Sequence, residues 1–486
     1  MSLRLKARGV LDQLRAQGVA VRNLCIDSRR VQPGDLFLAW PGAAVDGRRF
    51  LADAVEMGAA AVCYEAAGAE VTALSVSSIA VPDLALLAGD LAAEVYGQPS
   101  EKLWLCGITG TNGKTSVSQW IARALNEASR PCAVVGTLGN GFVDQLEASL
   151  NTTPDAVTLH RDLASFVAAG ALACAMEVSS IGLHQGRVNG ARFRCAVFTN
   201  LSRDHLDYHV TMDEYGEAKR LLFERPGLDA AVINLDDPYG RDLALRLKGR
   251  VPTLGYTLGN ESGADRVLRA ENLTMTGTGQ RFNVEGQVVN ASVLGRFNTS
   301  NLLAVMCALL AAGLSPAEAA SALERLRPPL GRMQCLGGEG APLVVVDYAH
   351  TPDALENALS TLRETAAARG GRLLCLFGCG GDRDPGKRPL MGAVAERLAD
   401  AVLLTSDNPR SESPQAILDE IRAGMKTNAQ VEPDRALAIA CVIAEAAPQD
   451  VVLLAGKGHE PYQEIAGKRL PFSDLDQAKQ ALEKRP

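Results

Sequence analysis

The chain has 486 residues, of which 47% are hydrophobic and 22% charged, and a formal net charge of −7. Its length allows about three domains, each able to bury a core of its own, and its average composition excludes a disordered or fibrous class. An acidic balance also excludes a broad nucleic-acid footprint, which needs clustered Lys and Arg to neutralise phosphates.

The longest uncharged apolar run, Leu302 to Leu314, falls short of the roughly 20 residues that cross a bilayer, so no membrane insertion is expected. The opening MSLRLKARGVLDQL has no apolar h-region and no small-residue cleavage site, which reads as an unprocessed cytoplasmic protein. The 11 cysteines stand singly, without a C-x-x-C pair, and read as reduced core thiols. Cys375 and Cys379 come closest to a pair, but LLCLFGCGG has the pattern of a buried strand entering a turn.

In chain order, short apolar runs such as DLFLAW and AAAVCYE end at YGQPSEK, which sets a first domain of residues 1–101. From Trp104 the strand-like WLCGIT leads through a glycine-rich turn into a helical pattern reaching Leu125. That is the strand–loop–helix order of a parallel α/β sheet. ACAMEV, CAVFTN and AAVIN continue it across a second domain, 102–332, in which Asn298 or Ser300 is a candidate N-cap. A third domain, 333–486, holds the β-rich runs LVVVDYAH, LLCLFG, AVLLTSD and VVLLAGKG, separated by helical segments over Leu355 to Leu362, Met391 to Leu398 and Ile417 to Met425. Ligands of open parallel sheets sit beyond the carboxyl ends of the strands, so these four ends are expected to converge on one site.

Gly110, Thr111, Asn112, Gly113, Lys114, Thr115 and Ser116 lie between a strand and a helix. The glycines let backbone N–H groups approach phosphate oxygens, and a helix N-terminus favours anions. Lys114 is placed to meet the β/γ-phosphates and Thr115 to hold Mg²⁺. Ile108 stands where the general phosphate loop has its first glycine.

GITGTNGKTS resembles the Mur ligase superfamily, which includes folylpolyglutamate synthetase. EVSSIGLHQGRV, TNLSRDHLDYH, AKRLLF, GRFNTSN, VVDYAHTPD, GGDRD, DNPR and AGKGHE follow in the order found in its diaminopimelate-adding branch. The resemblance implies a three-domain α/β fold: a small nucleotide-substrate domain, a central ATPase-like parallel sheet, and a Rossmann-like C-terminal domain that binds an amino acid. It implies an ATP-dependent amide-bond ligase of peptidoglycan precursor synthesis, working through an acyl phosphate. The implied substrates are UDP-N-acetylmuramoyl-L-alanyl-D-glutamate and meso-diaminopimelate. The L-lysine-adding ligase is the nearer alternative and folylpolyglutamate synthetase the remoter one; a catalytically dead phosphate-loop protein would not need Lys219, Glu177 and His205 together.

Residue by residue, the resemblance implies a metal site at Thr115, Glu177, His205 and Lys219, with Lys219 carbamylated so that a cation becomes a carboxylate-like ligand. It puts Asn301, Arg332 and Asp347 around ATP, with His350 in the same pocket. Ser28, Ala43, Ala44, Val45, Asn151, Thr152, Thr153, Ser179, Gln185 and Arg187 are implied contacts of the UDP-linked substrate. Arg383, Asp407, Asn408, Pro409, Arg410, Gly456 and Glu460 are implied contacts of diaminopimelate. A guanidinium at Arg410 can grip the carboxylate that lysine lacks. One departure stands beside these motifs: Val210 follows DYH where relatives have glycine, and a β-branched residue is strained wherever φ must be positive.

Overall fold

The computed structural model describes residues 3–42, 45–71, 73–149, 151–276, 279–338, 340–427 and 429–485. Ala43 and Ala44 lie outside them.

The N-terminal sheet has four parallel strands in chain order, Leu24–Cys25, Leu36–Ala39, Ala61–Glu65 and Ser77–Val81. The helices Leu3–Ala16 and Leu84–Val95 pack together over a core that includes Leu11, Leu36 and Leu91.

The central sheet runs Arg266–Arg269, Thr253–Thr257, Ala230–Asn234, Cys195–Phe198, Trp104–Thr109, Ala173–Glu177 and Cys132–Gly136, all parallel. Antiparallel Gly139–Phe142 and Gln145–Glu147 extend one edge. CAVF, AAVIN and ACAME are buried at every position, because helices cover both faces of a parallel sheet and leave no polar side for alternation. One face packs on the helices Lys114–Glu127 and Arg296–Ala311, the other on residues such as Leu159, Leu163 and Leu243. A three-stranded antiparallel sheet, Glu271–Thr276, Gly279–Val284 and Gln287–Ala291, is an addition not anticipated from sequence.

The C-terminal sheet has the order Gln334–Gly337, Leu343–Asp347, Val451–Ala455, Leu373–Phe377, Ala401–Leu404, Gln430–Val431, with only the first antiparallel to its neighbour. The four apolar runs are therefore adjacent parallel strands, and their carboxyl ends share one rim. Two local expectations are corrected. The helix that contains Asn298 and Ser300 begins at Arg296, within GRFN, and is capped by Gly295 with φ +94, so neither Asn298 nor Ser300 is its N-cap; a glycine can take that dihedral without a Cβ clash. The helix expected over Ile417 to Met425 spans Pro414–Arg422, begun by a proline in its first turn.

Candidate active site

The phosphate loop leaves Trp104–Thr109 with Gly110 at φ +146 and enters Lys114–Glu127 through Gly113 at φ +86. A Cβ on Gly113 would lie 2.6 Å from Asn301 Oδ1. Asn301, itself buried, thus forms the wall of the loop, and its Nδ2 donates to Asn298 Oδ1 at 3.2 Å. Lys114 Nζ donates to the carbonyls of Gly110 and Thr111, each at 2.9 Å, so its charge lies over the loop. Burial lowers its pKa, opposed by the carboxylates of Glu177 and Asp204.

Glu177 closes its strand 1% exposed. Its Oε2 accepts from Thr115 Oγ1 at 3.0 Å and from Thr137 Oγ1 at 3.1 Å, and its Oε1 from Thr137 N at 2.8 Å. Arg332 Nη2 donates to Thr115 Oγ1 at 3.1 Å, while its Nε is buried and unpartnered. Thr115 and Glu177 therefore offer adjacent hard oxygen donors beside the phosphate loop, the donor set that Mg²⁺ accepts. Among the described residues no three His, Cys, Asp or Glu side chains gather closely enough to hold an ion unaided. A nucleotide-bound Mg²⁺ does not require that, since it keeps phosphate and water ligands.

Lys219 lies in the helix Met212–Arg220, 1% exposed, with Nζ 4.0 Å from the centroid of the Tyr215 ring and no hydrogen bond or ion pair among the described residues. Burial, then the charge of Lys114, holds its pKa well below the ordinary lysine value. His205 stands beside it at φ +53, with Nε2 3.6 Å from Asp204 Oδ2. Burial lowers the His205 pKa, and Lys114 and Lys219 lower it further against the pull of Asp204. Thr115, Glu177, His205 and Lys219 are thus gathered around one loop end.

Asp347 ends Leu343–Asp347 with both oxygens engaged, Oδ2 by Met333 N at 2.7 Å and Oδ1 by Ala349 N at 2.8 Å. It anchors the chain after Arg332, whose guanidinium stacks 4.7 Å from the Tyr348 ring centroid. Remaining acceptor capacity on its oxygens leaves a ribose contact open to it.

On the substrate side, Thr152 Oγ1 meets Thr137 Oγ1 at 3.1 Å, and buried Thr153 donates to Glu177 O at 3.0 Å and accepts from Ser179 N at 2.9 Å. Ser179 caps the short helix Ser180–His184. Arg187 donates to Thr153 O at 2.9 Å and to Gln185 Oε1 at 2.7 Å. These residues join the carboxylate of Glu177 to a polar surface that also holds exposed Asn151. Ser28 is buried in a turn of the first domain and Val45 is 52% exposed; neither makes a hydrogen bond to the Thr152–Arg187 group.

On the C-terminal rim, Arg410 and Arg383 flank Gly380, whose Cβ, if present, would lie 2.9 Å from Arg410 Nη1 and 3.7 Å from Arg383 Cγ. Arg410 donates to Gly381 O at 2.7 Å, its nearest carboxylate being Glu464 at 4.0 Å. Asn408 donates to Glu460 Oε2 at 2.7 Å and accepts from the wholly buried Lys457, which also reaches Glu460 at 3.0 Å. Asp407 Oδ1 is buried and unpartnered, 3.6 Å from Lys457 Nζ. Gly456 follows Val451–Ala455 at φ +110, and Pro409 precedes Arg410 at φ +51. Two guanidinia and an amide–carboxylate cluster thus share one strand-end rim. Asn112 Nδ2, in the phosphate loop, and Ser202 Oγ bind Asp353 Oδ2 at 2.9 and 3.2 Å, which brings that rim against the central sheet.

The Mur ligase middle-domain profile matches residues 108–309, the glutamate ligase domain profile 331–458, and the Mur ligase catalytic-domain profile 20–96. The chain belongs to the Mur ligase family. Mur ligases are ATP-dependent ligases, and this Mur ligase is one. It is 53% identical over 477 residues, 96% of each chain, to the UDP-N-acetylmuramoyl-L-alanyl-D-glutamate--2,6-diaminopimelate ligase of Ectopseudomonas mendocina. It is also 53% identical to the protein of the same name from Pseudomonas aeruginosa, covering 95% of each chain. A solved ligase of that name superposes with a TM-score of 0.68 at 38% identity over 95% of each chain. The Thermotoga maritima MurF in complex with ADP shares the fold at 18% identity and a TM-score of 0.64, covering 96% of this chain and 97% of that one.

Several residues of this Mur ligase's site escape sequence reasoning. Asp204, beside His205 in SRDHLD, is one: its charge acts on Lys114 and Lys219, and His205 and His350 act on it. Tyr215 joins Thr111 Oγ1, 3.2 Å from its hydroxyl, to the Lys219 amine over its ring. Its position one helical turn before Lys219 was the available signal. Lys457 lies inside the AGKGHE motif but is buried as a counter-ion for Glu460 rather than exposed to a ligand.

Proposed function

We propose that this chain joins meso-diaminopimelate to the D-glutamyl carboxylate of UDP-N-acetylmuramoyl-L-alanyl-D-glutamate at the expense of ATP. The observation that carries the reading is that Arg383 and Arg410 both lie against Gly380, just beyond the carboxyl end of Leu373–Phe377. Diaminopimelate has a second carboxylate where lysine has none, and a paired, partly desolvated guanidinium discriminates by that difference. The names of relatives about half identical over nearly their whole length support the same substrates.

The chemistry has two steps. An oxygen of the substrate carboxylate attacks the γ-phosphorus of ATP, the bond to the β,γ-bridging oxygen breaks, and ADP leaves. The diaminopimelate amine then attacks the acyl carbon, releases phosphate and loses a proton. Lys114 neutralises phosphoryl charge from the loop, and Arg332, bonded to Thr115 Oγ1, adds a second cation there. Thr115 and Glu177 would hold the Mg²⁺ that accompanies ATP, which supplies charge neutralisation between nucleotide and carboxylate. Asn301 and Asp347 bound the nucleotide; Thr152, Thr153, Ser179, Gln185 and Arg187 face the muramoyl peptide; Ser28 and the 43–45 segment meet the uridine end. Asp407, Asn408 and Glu460 receive the distal ammonium with the Gly456 carbonyl.

Lys219 would enter as a carbamate: its neutral amine would form a bond to the carbon of CO₂ and lose a proton, and the resulting anionic oxygen, with His205, would hold a second Mg²⁺ that supplies further charge neutralisation. The depressed pKa and the lack of any hydrogen bond or ion pair to the amine among the described residues support this, since only the neutral amine reacts. The deciding experiment is ADP release in the presence of the UDP-linked dipeptide and, separately, meso-diaminopimelate, L-lysine and L-glutamate. Rapid turnover confined to diaminopimelate is expected; preference for another amino acid defeats the assignment.

A further inference from the structure

Lys387 is the first residue of the helix Lys387–Leu398 and is 8% exposed, yet it makes no hydrogen bond and no ion pair with any described residue. An ammonium in that condition destabilises the fold, because its hydration is lost and nothing replaces it. Its neighbours show where it lies. A Cβ on Gly386 would come within 3.1 Å of Arg203 Nη2, and Arg203 Nε lies 3.7 Å from Asp384 Oδ2. The start of this C-terminal helix therefore rests on the central-domain segment that carries Asp204 and His205. Against the upward push of burial, His205, His350 and Lys387 together hold the Asp204 carboxylate below its ordinary pKa. The Lys387 charge therefore acts on Asp204 and His350, and that of Asp204 acts in turn on Lys114 and Lys219.

We propose that Lys387 is a catalytic residue of the ligation, a cation carried by the C-terminal domain that contacts the γ-phosphoryl group during transfer and then the acyl phosphate. The inference rests on the ligase reading above. Two features fit an anion at this place. The amine is buried without a partner, and it sits at the N-terminus of a 12-residue helix whose backbone dipoles favour negative charge. Lys114 reaches the phosphates from the central domain, whereas Lys387 arrives with the domain that brings the amine. The full positive charge around the reacting phosphorus therefore exists only when both domains bound the site.

The test compares Lys387→Met and Lys387→Arg with the unmodified chain in thermal unfolding and in steady-state ADP release with ATP, the UDP-linked dipeptide and diaminopimelate. For Lys387→Met, kcat is expected to fall about 100-fold or more while the KM values for diaminopimelate and ATP stay within about threefold. Its Tm should be equal to or above that of the unmodified chain, because an unpaired buried charge has been removed. Lys387→Arg should keep more of kcat than Lys387→Met. A lowered Tm would mark a structural lysine, a raised KM for diaminopimelate with preserved kcat would mark an amino-acid anchor, and an unchanged kcat would mark a bystander; each overturns the proposal. If the unmodified chain turned over L-lysine instead of diaminopimelate, the substrate assignment would fail, and the same comparison run with L-lysine would still decide the role of Lys387.

Discussion

Arg435 and Asp474 form a bidentate ion pair with both side chains wholly out of solvent, Nε to Oδ1 at 2.7 Å and Nη2 to Oδ2 at 2.6 Å. The same guanidinium donates to Ala455 O at 3.0 Å and Ser406 O at 3.4 Å. It therefore ties together the two chain segments from which Asp407–Arg410 and Gly456–Glu460 emerge. Asp474→Asn leaves a buried charge without its counter-charge and should cost roughly 3–5 kcal/mol. Chemical denaturation would show the loss, and the KM for diaminopimelate should rise more than the KM for ATP. Equal changes in both would mean that the pair sets overall stability alone.

Arg410 is the residue whose truncation should change selectivity most. In the proposed complex its guanidinium gains a carboxylate from diaminopimelate, whereas with lysine it stays partly buried with only Gly381 O and the more distant Glu464, which should set a preference on the order of a thousandfold. Arg410→Ala should reduce diaminopimelate turnover steeply and leave the weak lysine activity nearly unchanged. Arg410→Lys should recover little, because an ammonium cannot make the two-pronged contact. A uniform loss for both amino acids would instead assign Arg410 to holding Gly381.

On the carbamate proposed for Lys219, Lys219→Ala removes that group and its oxygen ligands together. Short-chain carboxylic acids that fit the space beside Tyr215 should restore part of the activity in a concentration-dependent manner. Lys219→Arg should not substitute, since a guanidinium cannot become an anion. ADP release across a series from formate to butyrate, with circular dichroism to verify folding, is the measurement; a folded variant that no acid rescues would count against carbamylation.

Val210 has φ +61 and ψ −49 and is 73% exposed. The turn between His209 and the helix carrying Lys219 does take the conformation that a β-branched residue resists. Strain of this kind costs about 1–3 kcal/mol, and a glycine there would lose about 0.5–1 kcal/mol in chain entropy. Val210→Gly should therefore gain on the order of 1 kcal/mol, read as a higher Tm. A fall in Tm would show that the valine side chain contributes packing that outweighs its backbone.

Acid should destabilise the protein in a defined window. Burial holds His160, His209, His350 and His459 down to about 4, from an ordinary value of 6.5. The unfolded chain binds these protons near 6.5 and the folded chain refuses them until about 4. Their stabilising contribution is thus complete above 6.5 and is lost as pH falls toward 4. Urea midpoints recorded across that window should fall steeply, and a level profile would contradict the neutral, buried state of these rings.

The phosphate loop, the parallel strands and the converging C-terminal rim were legible because each depends on local pattern: glycines before Lys-Thr, unbroken apolar runs, and strand-end Asp or Gly. The antiparallel sheet over 271–291 was not, since its strands are short and partly exposed and their pairing is set by contacts with the helix Pro316–Arg325. A lysine in a polar helical stretch carries no local sign of burial, and that of Lys219 depends on Tyr215 and on elements distant in sequence. Asp204, Lys387 and Lys457 were hidden for a related reason. A charged residue inside a motif does not reveal which of its neighbours points at a ligand and which at a counter-ion.

Asp353 accepts from Asn112 in the phosphate loop and from Ser202 two residues before Asp204, while belonging to the C-terminal part of the chain proposed to bind the amino acid. Loop conformation and domain posture are therefore one thermodynamic variable. Whatever free energy a bound nucleotide places in that contact is available to the amino-acid rim, and linkage requires the return effect to be equal: to the factor by which nucleotide tightens diaminopimelate, diaminopimelate tightens nucleotide. Asp353, a carboxylate that takes part in neither bond being made, is one of the contacts through which the two ends of the reaction would be coupled.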